Sequence, residues 1–252
     1  MRWGARARRA MADRAARPIP SPNIWHWPDV YERENRAQDS TGALWRLVEQ
    51  RCDVRGRDVL DVGCGDGFHL PVFARDARSV LGVEPHEPLV ERARRRLDAL
   101  AGVDHVEVRL GAAQDLPVDS ASVDVVHART AYFFGPGCEP GLREADRVLR
   151  PGGTMLVVDL DVASSPYGDW MRADTPTLDP VRIEDFFAAQ GFESVGVGTR
   201  WSFTDRESLV AALRIEFSAR VANRAASSVR GTTIEVDYRV RTRTKPGGVL
   251  TA

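Results

Sequence analysis

The sequence predicts a doubly wound α/β fold, in which a seven-stranded, mostly parallel sheet carries helices on both faces and follows an N-terminal helical cap. The first reason is residues 58–67, where a short apolar run typical of a buried strand leads into glycines at alternate positions and then into a predicted helix. The second reason is that apolar, strand-like runs alternate with amphipathic segments along most of the chain. This alternation indicates parallel βαβ units with right-handed crossovers.

The individual elements follow from local patterns. Helices are predicted where apolar side chains recur at helical spacing, as Leu89, Ala93 and Leu97 do within a strongly charged segment. The predicted helices cover residues 29–38, 41–51, 68–75, 87–100, 141–149, 180–190 and 205–222. The predicted strands cover residues 59–62, 79–83, 105–110, 123–126, 154–159, 192–203 and 233–243. In the last strand apolar and polar residues alternate, which makes it the candidate for antiparallel pairing.

The part of the chain that precedes the sheet divides into two segments. Residues 1–17 carry six arginines against one acidic residue, and we expect a basic, disordered extension there. Residues 18–52 are expected to form the cap, which begins with a proline-rich stretch containing Trp25 and Trp27. These two tryptophans either anchor the cap to the domain or cover a pocket, and the two alternatives are compatible.

Composition is that of an ordinary globular protein. Of the 252 residues, 43% are hydrophobic and 28% are charged. The net charge of −1 gives no general attraction to nucleic acid or to anionic membranes. The cysteines Cys52, Cys64 and Cys138 are widely spaced, which indicates reduced thiols in a cytoplasmic protein and no metal site. No apolar run approaches the roughly 18 residues of a membrane span.

The ends of the first two predicted strands suggest the ligand. Glu84 lies 23 positions after Asp61, where an acid in nucleotide-binding α/β folds accepts hydrogen bonds from ribose hydroxyls. Gly63, Gly65 and Gly67 differ from the dinucleotide pattern G-x-G-x-x-G, because the third glycine comes one residue early. The Asp61 carboxylate would repel a diphosphate and attract a cationic group. The ligand expected here is therefore a nucleoside with a positively charged end.

Four stretches in register resemble the motifs of class I S-adenosylmethionine-dependent methyltransferases. They are residues 58–67, residues 82–84, residues 115–117 with 122–126, and residues 149–153. Their order and spacing are similar to those of the small-molecule branch (the type 11 domain) that includes ubiquinone and menaquinone methyltransferases. The resemblance spans about residues 40–200. It implies a Rossmann-like domain over residues 53–252, which would bind S-adenosylmethionine and release S-adenosylhomocysteine.

The resemblance also implies which residues hold the cofactor. Asp61 would lie near the ammonium group of its methionine part, and Glu84 would bind the ribose hydroxyls. Many relatives have an acid where this chain has Ala112, so the adenine edge must be recognised differently here, by Gln114, Asp115 or the backbone. The residues expected to contact the cofactor are Asp61, Gly63, Cys64, Gly65, Gly67, Glu84, Pro85, Ala113, Gln114 and His127.

Methyl transfer requires positioning more than proton transfer, because a sulfonium methyl group is already activated by its charge. His127 is the best-placed candidate for a general base, and its alternative is a structural role. Tyr132 is a candidate for stabilising the sulfonium with its aromatic face, and its alternative is packing against the sheet. The residues expected around the acceptor are Trp25, Trp27, Tyr31, Phe133 and Phe134, together with a mobile lid over residues 161–179.

Several functional alternatives stay open. The favoured function is in-line transfer of a methyl group to a small-molecule metabolite, mainly through proximity and orientation. A non-catalytic module that binds S-adenosylmethionine or S-adenosylhomocysteine, or a peptide or protein methyltransferase, is the alternative. Residues 127–130 lack the prolines that nucleic-acid amino-methyltransferases carry there, so no nucleic-acid partner is expected. The methylated atom and the choice between monomer and homodimer stay undetermined.

Overall fold

One seven-stranded sheet organises the computed structural model, which describes residue 18, residues 20–131 and residues 135–247. The strands are β1 (Asp58–Val62), β2 (Ser79–Glu84), β3 (Val106–Leu110), β4 (Val123–Arg129), β5 (Leu149–Leu160), β6 (Glu193–Ser202) and β7 (Thr233–Thr244). Their order across the sheet is β3-β2-β1-β4-β5-β7-β6. Strands β1 to β5 pair in parallel, and β7 runs antiparallel to β5 and β6. The predicted fold class and the antiparallel last strand are confirmed.

Helices connect the strands and cover their ends. They are α1 (Pro22–His26), α2 (Pro28–Ala37), α3 (Ala43–Arg51), α4 (Leu70–Ala74), α5 (Glu87–Asp98), α6 (Glu139–Val148), α7 (Tyr167–Asp174), α8 (Pro180–Ala189), α9 (Arg206–Glu216) and α10 (Ala219–Ser228). Asp179 and Asp205 cap α8 and α9, because their carboxylates accept backbone N–H groups of the first turn. Within the described residues, no helix is both long and apolar enough to cross a membrane.

The sheet reverses its order of strand addition between β1 and β4. In this type of fold a crevice forms at the carboxyl ends of the strands on either side of such a reversal. Val59, Leu60 and Val62 of β1 are at most 1% exposed, since helices cover both faces of the sheet there. Asp61 pairs in register with His127 of β4, so the two polar side chains emerge next to each other at this reversal.

An ionic network ties the cap to the sheet domain. The Asp66 carboxylate, which is 1% exposed, accepts hydrogen bonds from Arg92 (3.1 Å) and Arg96 (2.8 Å) of α5. Both arginines also reach Glu32 of α2, at 2.8 and 3.1 Å. The loop after β1 is therefore connected through α5 to the cap helix that lies over it. Residues 1–17, for which a disordered extension was predicted, lie outside the described residues.

Two sequence-based predictions in the second half of the chain are wrong. The single helix expected over residues 205–222 is two helices, α9 and α10, because Phe217 takes an extended conformation (φ −129°, ψ 156°) and buries its ring beside Tyr167. The mobile lid expected over residues 161–179 contains a docked helix instead. Tyr167, Trp170 and Met171 of α7 are buried, at 1%, 6% and 7% exposure. Their apolar surface fixes this segment against the sheet.

Candidate functional site

A cavity of about 330 Å³ opens at the carboxyl ends of β1, β2 and β4. We distinguish two parts of it. The glycine-loop half is lined by Asp61, by residues 63–66 that follow β1, by Glu84 and by His127. The cap half is lined by side chains of α1, α2, α7 and α9, and its lining includes Glu34. The crevice that the fold creates is thus closed on one side by the cap and by the helices of the second half of the chain.

The glycine loop has a conformation that only glycine adopts readily. Gly63, Gly65 and Gly67 have φ values of +74°, +58° and +75°. A β-carbon at Gly63 would lie 2.8 Å from the β-carbon of Ala131, and one at Gly65 would lie 2.9 Å from Cδ1 of Ile24. Any side chain would therefore strain the backbone and collide with the residues that cover the loop. At Gly63 and Gly65 the loop therefore presents backbone without a side chain to the cavity.

Asp61 and His127 form a buried pair at the floor of the cavity. The Nδ1 of His127 donates to Oδ1 of Asp61 across 2.6 Å, and the two residues are 1% and 4% exposed. The Nε2 of His127 has no hydrogen-bond partner among the described residues, and the ring packs 4.8 Å from that of Phe73. This geometry makes His127 a positioning residue for the Asp61 carboxylate. Its role as a general base stays a prediction.

Glu84 is anchored by the loop it faces. Its Oε2 accepts the backbone N–H of Gly65 at 3.1 Å, and its Oε1 accepts that of His86 at 3.0 Å. Each oxygen keeps a lone pair for a ligand hydroxyl. Burial raises the pKa of Glu84 to about 7. Beside it, the ring of Trp25 stacks on that of His86, with the centroids 4.3 Å apart and the planes at 9°.

The loop after β3 supplies the edge of the glycine-loop half. Ala113 and Gln114 line the cavity there, and Pro85 lines it from the end of β2. Ala112 forms an isolated backbone bridge with Asp115, whose side chain is exposed. Of the two polar side chains considered for the adenine edge, the one that lines the cavity is therefore that of Gln114.

The structure brings some of the predicted acceptor residues to the cavity and leaves others out. Trp25 and Tyr31 line it. The prediction for Trp27 is wrong, because this residue joins α1 to α2 with its side chain 56% exposed and outside the cavity lining. Gly67 also lies outside the lining, and its missing β-carbon instead makes room for Ala93 of α5, which a β-carbon would approach to 3.0 Å. Residues 132–134, namely Tyr132, Phe133 and Phe134, lie outside the described residues.

The cap half contains charged residues that the sequence patterns did not indicate. These residues are Glu34, Arg129 and Glu216. Gln38 connects the first two, because its Nε2 donates to Oε1 of Glu34 at 3.0 Å and its Oε1 accepts from the guanidinium of Arg129. Asn23 donates from Nδ2 to Oε1 of Glu216 at 2.5 Å. One signal could have found Arg129: it lies two residues beyond His127 on β4, so both side chains emerge on the same face of the sheet. Glu34 and Glu216 lie in charged helical segments and gave no comparable signal.

Comparison with known proteins identifies a domain within the chain. Residues 59–153 match the model of a family described as a methyltransferase domain. Demethylmenaquinone methyltransferase of Clavibacter sepedonicus is 32% identical over 159 residues, which cover 59% of this chain and 63% of that protein. The chain spans about half the length of the curated relatives it matches.

Solved structures share the fold at lower sequence identity. The YcgJ protein of Bacillus subtilis superposes with a TM-score of 0.59 at 19% identity, covering 81% of this chain and 98% of that one. Geranyl diphosphate C-methyltransferase of Streptomyces coelicolor A3(2), whose structure contains S-adenosyl-L-homocysteine, superposes with a TM-score of 0.54 at 16% identity. That match covers 79% of this chain and 76% of the other. These similarities establish the architecture of the sheet and its helices.

Proposed function

Since residues 59–153 of this chain form a methyltransferase domain, we propose that the protein transfers a methyl group from S-adenosylmethionine to a small-molecule acceptor. The resemblance to S-adenosylmethionine-dependent methyltransferases that the sequence predicted is confirmed by this domain and by the relatives. One observation supports the proposal above all others. Asp61 and Glu84, at the ends of neighbouring strands, face the same cavity as the separate cap half.

The residues of the glycine-loop half fit the cofactor. Asp61 would hold the cationic ammonium group, and Glu84 would accept from the ribose hydroxyls through the lone pairs that Gly65 and His86 leave free. Gln114 is the polar side chain available for the adenine edge. When bound, the cofactor supplies a methyl group activated by the sulfonium charge. The protein binds and orients the reactants and excludes water.

The shape of the cap half favours a small acceptor over a peptide. Side chains of α1, α2, α7 and α9 line it, and the whole cavity of about 330 Å³ has to hold the cofactor as well as the acceptor. Docked aromatic side chains such as that of Tyr167, which is 1% exposed, form part of its wall. A small-molecule acceptor therefore agrees better with this enclosure than an extended peptide does.

Calorimetric titration with S-adenosylmethionine and with S-adenosylhomocysteine tests the cofactor assignment. Asp61→Asn and Glu84→Gln should each weaken binding by about 10-fold or more, because each removes a charge-assisted hydrogen bond worth roughly 1.5–3 kcal/mol. Asp115→Asn is the matched control, since this exposed carboxylate lies on the adenine-side loop and outside the cavity lining. Wild-type protein that binds neither compound at millimolar concentration would contradict the proposal.

Turnover is tested separately from binding. The protein is incubated with S-adenosylmethionine and a metabolite extract, and S-adenosylhomocysteine is measured together with new products heavier by one methylene unit. We expect both to appear and to be lost with Asp61→Asn. Tight cofactor binding without a methylated product from any extract would instead identify a non-catalytic binding module.

A further inference from the structure

The cap half carries more negative than positive charge. Among the described residues that line it, Glu34, Asp174 and Glu216 are acidic and Arg129 is basic. The Asp174 carboxylate accepts the backbone N–H of Ser218 at 3.1 and 3.2 Å and so has a partner of its own. The carboxyl groups of Glu34 and Glu216 can therefore carry two negative charges, against the one positive charge of the Arg129 guanidinium.

Arg129 lies on the Glu34 side of this pair. Its guanidinium donates to Oε1 of Gln38 and, at 3.3 Å, to the hydroxyl of Tyr238, and it lies 5.2 Å from the centre of the Tyr238 ring. The side-chain N–H of Gln38 in turn donates a hydrogen bond to Oε1 of Glu34. The ring of Trp45, 5.8 Å from the guanidinium, holds Arg129 from another side. The cation is therefore fixed at one end of the Glu34 carboxyl group.

The other end of Glu34 is buried without a donor. Glu34 is 2% exposed, and its Oε2 has no hydrogen-bond partner among the described residues. Glu216 lines the same part of the cavity, and its negative charge raises the pKa of Glu34 further, so that the two carboxyl groups favour sharing a proton. Burial raises the pKa of both groups, that of Glu216 to about 6. Without a ligand the pair therefore retains a proton near neutral pH.

Aromatic rings line the same cavity as the acidic pair. Tyr167 lies between Trp201 and Phe217, with ring centroids 4.9 and 5.3 Å away. All three residues line the cavity, and the buried hydroxyl of Tyr167 has no hydrogen-bond partner within the described part of the chain. Aromatic faces together with carboxylates attract a cation, whereas an anionic ligand would be repelled. The carboxylate oxygen of Glu34 that lacks a donor indicates a ligand with N–H groups, and the Tyr167 hydroxyl beside it can donate to or accept from such a ligand.

We propose that the acceptor is a small amine, which enters the cap half as an ammonium ion and places its nitrogen beside Glu34 and Glu216. Its N–H groups would reach the Oε2 of Glu34 and the hydroxyl of Tyr167, and its charge would replace the shared proton. This inference rests on the proposed methyltransferase function and names the class of its acceptor.

The acidic pair would also prepare the nitrogen for reaction. An ammonium nitrogen has no free electron pair, so one of its protons must first move to the carboxylate of Glu34 or Glu216. The freed electron pair then forms the bond to the methyl carbon, while the electrons of the carbon–sulfur bond go to sulfur, which loses its positive charge. The methylated amine carries that positive charge instead. The carboxyl group keeps this proton when the product leaves, which restores the protonated state of the empty pair, so the proton lost to water in one cycle is the one released on binding.

Binding of matched amines and alcohols to protein saturated with S-adenosylhomocysteine tests the inference. The probes are ethylamine, phenethylamine and tryptamine, each paired with the alcohol of the same carbon skeleton, and 3-phenylpropionate is the anionic probe. At least one amine should bind about 10-fold or more tightly than its alcohol and should release protons on binding, as measured by calorimetry in buffers of different ionisation enthalpy. With S-adenosylmethionine that amine should gain one methyl group on nitrogen.

Paired variants keep the test specific. The double variant Glu34→Gln/Glu216→Gln should remove the preference for amines and the proton release, while Glu207→Gln, an exposed acid on α9, should leave both unchanged. Protons released on amine binding can come from any ionisable side chain that lines the cap half. These side chains are Tyr31, Glu34, Arg129, Tyr167, Asp174, Glu216 and Tyr238. Saturation with S-adenosylhomocysteine in both variants shows that the fold and the cofactor site are intact.

Two results would overturn the inference. One is equal or tighter binding of the alcohols or of 3-phenylpropionate, and the other is the absence of binding by every amine at millimolar concentration. If S-adenosylhomocysteine still binds in these cases, the proposed methyltransferase function stands and only the acceptor class is wrong. If S-adenosylhomocysteine does not bind, the proposed function itself fails.

Discussion

The Asp61–His127 pair shows how one hydrogen bond prepares a site. Both side chains are almost completely buried, so the Asp61 carboxylate needs a donor on its inner oxygen if the outer one is to face a ligand. His127 provides that donor at 2.6 Å from the neighbouring strand, where the parallel register holds the two residues side by side. The ring of His127 is in turn held by Phe73.

Replacing His127 tests this positioning role. His127→Phe leaves Oδ1 of Asp61 buried without a donor, and S-adenosylhomocysteine affinity should fall by about 5- to 30-fold, equivalent to roughly 1–2 kcal/mol. His127→Asn retains an N–H donor near the position of Nδ1 and should lose much less. Calorimetric affinity and turnover are measured for both variants. If His127 acts as a general base instead, both variants will lose turnover while their affinity stays at the wild-type level.

At the residue scale, the sequence predicted those site residues that lie at the ends of neighbouring strands. Asp61 and Glu84 each end a strand, and parallel pairing necessarily brings those ends to one edge of the sheet. The acidic pair of the cap half could not be found in this way. Glu216 receives its hydrogen bond from Asn23, which is 193 positions away, and neither residue belongs to a periodic pattern that predicts burial. Only tertiary packing decides that these charges lie inside.

At the scale of elements, Asp39 connects the cap to the second half of the sheet. It sits between α2 and α3 with φ +48°, is 7% exposed, and accepts the backbone N–H groups of Leu44 (3.0 Å) and Trp45 (3.1 Å) at the start of α3. It also accepts from the hydroxyl of Thr199 on β6 at 2.6 Å. The carboxylate that caps α3 thus additionally joins two distant elements.

Asp39→Ala should destabilise the fold by about 2–4 kcal/mol, because it removes the helix cap and leaves a buried hydroxyl with one partner fewer. Asp179→Ala is the matched control. Asp179 also accepts two backbone N–H groups, at the start of α8, but its carboxylate is exposed, so its loss should cost only about 1 kcal/mol. Urea unfolding of both variants measures the difference. Equal costs would show that the link from Asp39 to Thr199 contributes nothing.

The starts of α8 and α9 were predicted to within one residue, whereas β5 begins at Leu149, five residues before its predicted start. Asp179 and Asp205 cap α8 and α9 as their residue types suggest. The break between α9 and α10 has no such local signal, because Phe217 leaves the helix to pack its ring beside Tyr167 of α7. The same contact explains why α7 is docked where a mobile loop was expected. Both errors therefore have one cause, an aromatic contact between segments far apart in sequence.

On the scale of the whole molecule, buried acids shape the response to pH. Burial raises the pKa of Glu84 to about 7 and that of Glu216 to about 6, whereas the Arg78 guanidinium holds the pKa of Asp58 well below its usual range. An acid with a raised pKa binds its proton more tightly in the folded state. Its contribution to stability is complete below its unfolded pKa and is lost as the pH rises through its folded pKa. The contribution of Asp58 is instead lost at low pH.

The buried acids should therefore lower the free energy of unfolding by about 3–5 kcal/mol between about pH 5 and pH 8, since each unit of pKa shift corresponds to about 1.4 kcal/mol. Burial lowers the pKa of His69, whose contribution rises over the same range, so the net fall should be smaller. Urea unfolding across this range, without ligand, measures the curve. Glu216→Gln cannot ionise at this position, so its curve should fall by about 2 kcal/mol less than that of the wild type. Curves that fall equally in the two proteins would mean that the acids of the cavity are solvated rather than buried. A cavity of that kind would select a cationic ligand only weakly, because water would screen its carboxylates.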